Sequence, residues 1–540
     1  MVDNYYKNNW KLRTKELEKK SLLKGDQAEN LEAMIDSPDE ENYVLAEELL
    51  RLKVETALVE GLNDGQLEAF LEIVDFFRNP QHDAVVLKGY AGTGKTFLVK
   101  RVIEYITTTY PNRKIALSAP TNKAVHVLSR NSPFEDSSSV FEEYGKPTSK
   151  IVFSTIHKLL GLTENISNTG EQTFKAGKDA GLEAYDYLVV DEVSMLNDDL
   201  FPEIMKFKGK IRIIFMGDPA QIPPVGKEHC LPFAATCKFS LRKLELTEIM
   251  RQKKGHPIVD ASMTLRNNLT KEQPLGLPKD LSRVDAHGDG ILRIDAKTER
   301  PLVRETINKY FNDPKAKLSG EFVKIIAWRN KSVAYLNDVV RQCLYGVDKK
   351  VWNVGDKIVA NKPLFKREKS KYKGWQYLIK GNTSDEYVIT KVEQVYREFS
   401  EKFKKSPIIN FEGNYWKLTV TPEKYSEEEP LEEDEHLPIK VLYVLHNNSV
   451  DEFNDILKEL KQIATNSYNR DNWVMYYNML KWSDNIMHNY AITVHKSQGS
   501  TYENVILIEE DLNRNFKVVE RNRIKYTAYT RAKDKMYTLV

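Results

Sequence analysis

From residue 84 to the end of the chain, short apolar runs alternate with longer stretches of helical periodicity. "AVVLKG" (84–89), "KIALSAPT" (114–121), "YDYLVVDEVSM" (185–195) and "IRIIFMGDP" (211–219) make one set. "VKIIAWRN" (323–330), "NVILIEED" (504–511) and "KMYTLV" (535–540) make a second. Runs that stay apolar at successive positions suit strands buried on both faces of a parallel sheet. The pattern predicts an α/β protein with two such units, the second interrupted between about 351 and 484.

The interruption has a different rhythm. "VGDKIVANKPLFK", "EYVITKVEQV" and "NYWKLTVTP" alternate apolar and polar positions, as antiparallel strands do. A small β-barrel with helical or disordered insertions is expected there. Its basic stretch "KREKSKYKGW" (366–375) is either a guide for nucleic acid or a solvated loop. Its acidic run "SEEEPLEEDEH" (426–436) reads as a solvated loop that repels phosphates. Ahead of the first unit, "YVLAEELLRLKVETALVEGL" (43–62) has apolar positions at helical spacing, which predicts surface helices across residues 1–60 packed on the body.

Composition narrows the class. At 540 residues the chain is long enough for about three or four domains. No run of about 18 apolar residues predicts a membrane span, and the polar start "MVDNYYKNNWKLRTKELEKK" is unlike a signal peptide. Three cysteines, Cys230, Cys237 and Cys343, make no disulfide framework or paired metal spacing, which fits a reducing cytoplasm. Net charge is only +2 with 29% charged residues. A protein that coats DNA is usually more basic, but a motor that must release its track need not be.

The chemistry starts at Gly89-Tyr90-Ala91-Gly92-Thr93-Gly94-Lys95-Thr96, which fits G-x-x-x-x-G-K-[ST] between a predicted strand and a predicted helix. Glycines let backbone N–H groups turn inward around phosphate oxygens, and the following helix adds its positive end. Lys95 is expected at the β- and γ-phosphates and the Thr96 hydroxyl on Mg²⁺. Asp191-Glu192 ends the run "YLVVDE", where an acidic pair belongs: Asp191 to hold Mg²⁺ through water, Glu192 to polarise the attacking water. Gln66, in "LNDGQ" (62–66), has an amide able to read an adenine edge. These parts define an ATPase or GTPase; kinases and small GTPases share them.

Further blocks follow in order: "SAPTNKAVHVL" (118–128), "STIHKLLGL" (154–162), "GDPAQIPPVG" (217–226), "LTEIMRQ" (246–252), "AITVHKSQGSTYENV" (491–505) and "YTAYTRAKDK" (526–535). Their order and wording resemble the superfamily-one DNA helicases, in the branch that contains RecD and the phage Dda helicase. "STIH", "DEVSM", "NKPLFK" and "HKSQG" look most like Dda-type proteins. The resemblance covers roughly residues 62–540.

The resemblance implies an ATP-driven motor that moves 5′ to 3′ on single-stranded DNA and unwinds duplexes. It implies two RecA-like P-loop domains (61–255; 256–350 with 485–540), a pin hairpin at 163–181, and an SH3-like β-barrel inserted at 351–484. Arg251 and Arg531 are then expected as arginine fingers, contacts worth on the order of 10³–10⁵ in rate in related phosphoryl-transfer enzymes. Gln221, Gln498 and Gly499 are expected beside the nucleotide as links to domain closure. Pro120, Thr121, Asn122, Thr155 and His157 of the first domain, with Asn330, Thr493, His495 and Lys496 of the second, are expected on the DNA backbone, where strand-end loops hold phosphates without reading bases. Phe174, the only aromatic residue of 163–181, is expected to stack on the last base pair of a fork. A monomer in a bacterial host's cytoplasm, working with replication or recombination proteins of a phage, completes the expectation. An ATP-gated DNA clamp and an RNA helicase of the same superfamily remain alternatives.

Overall fold

The structure, a computed structural model, describes residues 25–36, 45, 49, 58–110, 112–130, 151–176, 181–224, 226–227, 230–235, 237–250, 255–271, 282–370, 374–423 and 440–540. The first unit holds β1 (Ala84–Gly89), β2 (Ile115–Ala119), β3 (Ile151–Thr155), the hairpin strands β4 (Leu162–Ile166) and β5 (Gln172–Ala176), β6 (Tyr187–Val190), β7 (Arg212–Gly217) and β8 (Leu241–Leu246). Six of them form a sheet in the order β3-β2-β6-β7-β1-β8, parallel throughout. The apolar runs have the expected cause. In β1, Val85 and Leu87 enter the core layer under the Asp64–Arg78 and Lys95–Thr109 helices, while Ala84 and Val86 enter the opposite layer with Phe201 and Ile204. Successive side chains point to opposite faces, so a strand covered on both sides must be apolar at every position.

The second unit holds β9 (Arg283–Val284), β10 (Gly290–Ile294) and β11 (Val323–Ala327) before the insertion. The insertion holds β12 (Lys357–Ala360), β13 (Leu364–Ser370), β14 (Gly374–Gly381), β15 (Glu386–Glu401), β16 (Ile409–Pro422), β17 (Lys440–Leu445) and β18 (Ile486–His488). The chain then returns to the second unit with β19 (Ala491–Thr493), β20 (Tyr502–Ile508) and β21 (Ala532–Leu539). The second sheet runs β19-β11-β20-β21-β10-β9, parallel except for the β9 edge. Each predicted apolar run forms a strand, and the two RecA-like α/β sheets follow the fold expected from the sequence.

The insertion departs from the compact barrel expected. It is a five-stranded antiparallel sheet ordered β17-β16-β15-β12-β18, and its end strands do not pair with each other among the described residues. The β15–β16 ribbon is too long for a small barrel, at 16 and 14 residues. Its far end packs Phe399 and Phe411 against Phe453, Leu457 and Met475 of two helices, Val450–Ser467 and Arg470–Leu480. The basic stretch is largely strand: Arg367 of β13 stacks on Trp375 of β14 at 3.7 Å and pairs with Glu401. Residues 426–436, and most of 1–60 and 131–150, lie outside the described residues. Within 1–60, helix Gly25–Asp36 buries Leu31 and Ile35 in the first unit's core.

Candidate functional site

The glycine-rich loop leaves the carboxyl end of β1 and enters the Lys95–Thr109 helix. Gly92 and Gly94 take positive φ, 82° and 79°, which a side chain resists. A Cβ on Gly89 would lie 2.6 Å from the Thr93 hydroxyl, so the cradle closes only over glycine. Lys95 Nζ donates to the carbonyls of Gly89 (2.5 Å) and Tyr90 (3.0 Å), and Thr96 is exposed at the helix start. Asp191 leaves the end of β6 two strands away in the same sheet. Burial, then the neighbouring Glu192 charge, pushes its carboxyl up to about 7 against the opposing pull of the Glu192 N–H and Lys95. The Lys95 charge acting on Asp191 brings the acidic pair to the phosphate loop, and a carboxylate there is a donor suited to a divalent cation. Glu192 holds a left-handed backbone, φ 50°, costly for a residue with a side chain and typical of functional turns.

The loop also meets the second unit. Asp218, at the end of β7, is 1% exposed. Its Oδ2 accepts from Ala91 N–H (3.1 Å) and from Tyr526 O–H (2.7 Å) of the Val518–Tyr529 helix. The turn that follows is held from the same side. Arg523 donates to the Pro219 and Gln221 carbonyls, Ile222 N–H donates to Thr527 Oγ1, and Gln498 Nε2 donates to the Ile222 carbonyl at 3.1 Å. Ala220 and Ile222 are buried in the second unit's core. Gln221 is 4% exposed, and its Oε1 has no partner among the described residues. A Cβ on Gly499 would come within 3.9 Å of Glu192 Cγ, so the 498–499 turn faces the acidic pair. The nucleotide loop therefore lies in a seam between the two units.

Four expected site residues are differently engaged. Gln66 is 1% exposed and its amide is used inside the protein: Oε1 accepts from Asn63 N–H and Nε2 donates to the Thr93 carbonyl at 3.2 Å. Its place is a prop beneath the loop, because a buried amide needs partners at hand. Ala91 gives its N–H to Asp218, so this donor is turned to the seam. Arg531 is 4% exposed, and its guanidinium donates to the Thr527, Ser497 and Ser500 carbonyls and to Thr530 Oγ1. It braces the 497–500 turn in this conformation. Lys496 reaches the inserted sheet, where Nζ donates to Asn361 Oδ1 and Met487 Sδ, and burial holds its pKa down. Arg251 lies outside the described residues; Met250 before it donates its N–H to the Gly92 carbonyl at 2.7 Å.

The expected track residues sit at carboxyl ends of strands. Thr155 ends β3 and caps a one-turn helix, Ile156–Leu159, by accepting from Lys158 N–H. Thr493 ends β19 and caps Val494–Ser497 by accepting from Lys496 N–H at 3.3 Å. The two units thus build the same turn, Thr-Ile-His-Lys and Thr-Val-His-Lys, on an edge strand of each sheet. Burial lowers the pKa of both His157 and His495, so the imidazoles stand neutral near pH 7. Pro120 and Thr121 follow β2, and Thr121 Oγ1 accepts from Ala124 N–H at the head of the helix that starts with Asn122. Lys123, next in sequence, pairs with Glu386 of the insertion at 2.8 Å and donates to Tyr502 O–H of the second unit. Asn330 is exposed at the head of Asn330–Tyr345.

Phe174 is 59% exposed on the β4–β5 hairpin, edge-on to His157 with ring centroids 5.4 Å apart. The hairpin is supported by the insertion. Ile166 packs on Ala464 and Trp473, Arg470 Nε donates to the Ile166 carbonyl (2.9 Å), and Tyr477 O–H donates to the Gly170 carbonyl (2.8 Å). Sequence reasoning missed this support, and it missed Asp218, Tyr526 and Lys123. The quoted blocks contain the last three, but only packing gives them partners.

Two parallel α/β sheets meeting at a glycine-rich phosphate loop define a P-loop nucleotide motor. Residues 61–289 match the AAA domain family and residues 488–539 match the UvrD-like helicase C-terminal domain. The chain is 27% identical over 462 residues to the ATP-dependent DNA helicase dda of Enterobacteria phage T4, covering 83% of this chain and 92% of that one. It is 32% identical over 224 residues to the ATP-dependent RecD2 DNA helicase of Deinococcus radiodurans, covering 41% of this chain and 26% of that one. A crystal structure of the Pif1 helicase from Candida albicans aligns with 88% of this chain and 94% of its own at 13% identity, with a TM-score of 0.42. These similarities are to superfamily-one helicases of the RecD/Dda-like branch, in agreement with the order of the site motifs.

Proposed function

We propose that the chain is an ATP-dependent DNA helicase that moves 5′ to 3′ along a single strand and separates the duplex ahead of it. One observation carries the reading: the phosphate loop is hydrogen-bonded through Asp218 to Tyr526 of the other unit, and each unit carries the same Thr-x-His-Lys turn on a sheet edge. A change at the loop therefore moves one phosphate grip relative to the other. Bound ATP supplies the phosphoanhydride whose hydrolysis drives the cycle. Lys95 would leave its carbonyls for the phosphates, Thr96 and Asp191 would hold Mg²⁺, and Glu192 would orient the attacking water. Neutral threonine, asparagine and histidine groups hold phosphates by contacts that are broken as readily as made, which suits stepping. Phe174 stacks on the terminal base pair, and the Arg470–Leu480 helix behind the hairpin takes the reaction force.

Unwinding of 5′-tailed and 3′-tailed duplexes, with and without ATP, tests the reading. The 5′-tailed duplex should open only with ATP. Opening of the 3′-tailed duplex alone would reverse the polarity, and no opening of either would leave the ATP-gated clamp. Phe174→Ala should lose unwinding while keeping strand-stimulated hydrolysis. Stimulation by RNA in preference to DNA would move the substrate to RNA.

A further inference from the structure

The second sheet orders β19, β11 and β20 side by side, and all three run parallel. Their carboxyl ends therefore open on one edge, where parallel sheets place ligand contacts. His495 follows β19 and Asn330 follows β11. After β20 and a one-turn helix, Glu509–Leu512, comes the loop "NRNFK" (513–517). Phe516 of this loop is 95% exposed, the largest value for a large apolar side chain among the described residues.

The loop is nonetheless fixed. Asn513 N–H donates to the Glu509 carbonyl, Asn515 N–H to the Leu512 carbonyl and Lys517 N–H to Asn515 Oδ1, while Arg521 donates back to the Asn515 and Lys517 carbonyls. Asn515 is 4% exposed. A braced loop thus holds an aromatic ring in water between two cations, Arg514 and Lys517. Arg514 shares a groove of 420 Å³ with Arg329, Lys331, the exposed Tyr335 and the carboxylates Glu510 and Asp511. On the other side Lys517 pairs with Glu520 at 3.7 Å, and the charge of Glu520 acts on His495. Of the carboxylates here, Asp511 is buried and already holds Arg329 at 2.6 Å, while Glu510, at 4.0 Å from Arg514, and Glu520 form exposed pairs that phosphate can displace.

We propose that Phe516 is a base-stacking contact of the second unit, with Arg514 and Lys517 on the flanking phosphates, for single-stranded DNA lying over Asn330 and His495. It rests on the helicase reading. A positive surface interleaved with aromatic rings is how single strands are held without sequence preference. The ring belongs to the second unit and the pin to the first, so the ring would grip the strand while Phe174 meets the duplex.

The test walks an abasic site along the tracking strand of a forked duplex and measures affinity for the wild type, Phe516→Ala and Phe516→Trp. At one or two positions away from the junction, losing the base should weaken the wild type by about tenfold, as expected for one stacked base. Phe516→Ala should weaken the intact strand equally, add nothing at those positions, and be rescued by Phe516→Trp. Thermal midpoints of the variants should match the wild type, since the ring is 95% exposed. Wild-type affinity in Phe516→Ala, or a loss that adds to the abasic loss at every position, overturns the proposal and leaves the helicase reading intact. No single-strand binding by the wild type removes both.

Discussion

Asp218 and Tyr526, 308 positions apart in sequence, meet at 2.7 Å in the seam between the two sheets. The carboxylate also receives Ala91 N–H from the phosphate loop. Burial, with the facing carboxylate, raises the Tyr526 pKa well above its ordinary value, so the phenol remains a donor at all working pH.

Tyr526→Phe removes that donor and leaves a buried carboxylate short of a partner, at a cost of about 1.5–3 kcal/mol. The thermal midpoint should fall. ATP turnover with single-stranded DNA present should fall several-fold more than turnover without it, because the lost bond joins the loop to the unit that carries His495. Equal losses in both assays would show that this bond does not couple the sites.

Lys95→Ala should abolish ATP hydrolysis while preserving the fold, since it removes the amine expected to meet the phosphates. Phosphate release measured beside circular dichroism checks this. Retained turnover would remove the loop from the chemistry.

Gly170 has φ 83°, and a Cβ there would lie 2.5 Å from the Trp473 ring. Gly170→Ala forces the hairpin tip off its supporting helix, by steric overlap and by backbone strain. Unwinding of a fork should drop by about tenfold or more while strand-stimulated hydrolysis persists. Tyr477→Phe, which removes only the hydrogen bond to the Gly170 carbonyl, should give a smaller loss of the same kind.

Burial lowers the pKa of His157 and His495 below the ordinary histidine value of about 6.5. The unfolded chain then takes the proton first, so their contribution to stability is full above about pH 6.5 and is lost as pH falls through the folded values. Imidazole resonances followed by NMR should titrate with midpoints below 6.5 in the free protein. His157→Gln with His495→Gln should flatten the fall in stability as pH drops below about 6.5. A midpoint above 6.5 for either ring would contradict the burial.

The strands were legible because a sheet covered on both faces demands unbroken apolar runs, and "AVVLKG", "YLVV" and "IIFMG" meet that demand whatever surrounds them. The phosphate loop was legible for a similar local reason. Its backbone needs glycine at fixed positions, and its lysine and threonine follow by spacing. The insertion was less legible, since alternation announces antiparallel strands without fixing how far a ribbon extends or whether it closes. Thus β15 and β16 run out to a helix pair in place of a compact barrel.

By itself the sequence determined the two sheets, the nucleotide loop and the acidic pair, all set by neighbours within a few residues. Only the tertiary structure decided that Asp218 holds Tyr526, that Lys123 pairs with Glu386, that Arg531 braces the 497–500 turn, and that the Arg470–Leu480 helix supports the pin. Those contacts join residues far apart in the chain. A buried carboxylate or guanidinium takes its partner from whatever the packing brings within hydrogen-bond distance, and no local pattern records that choice.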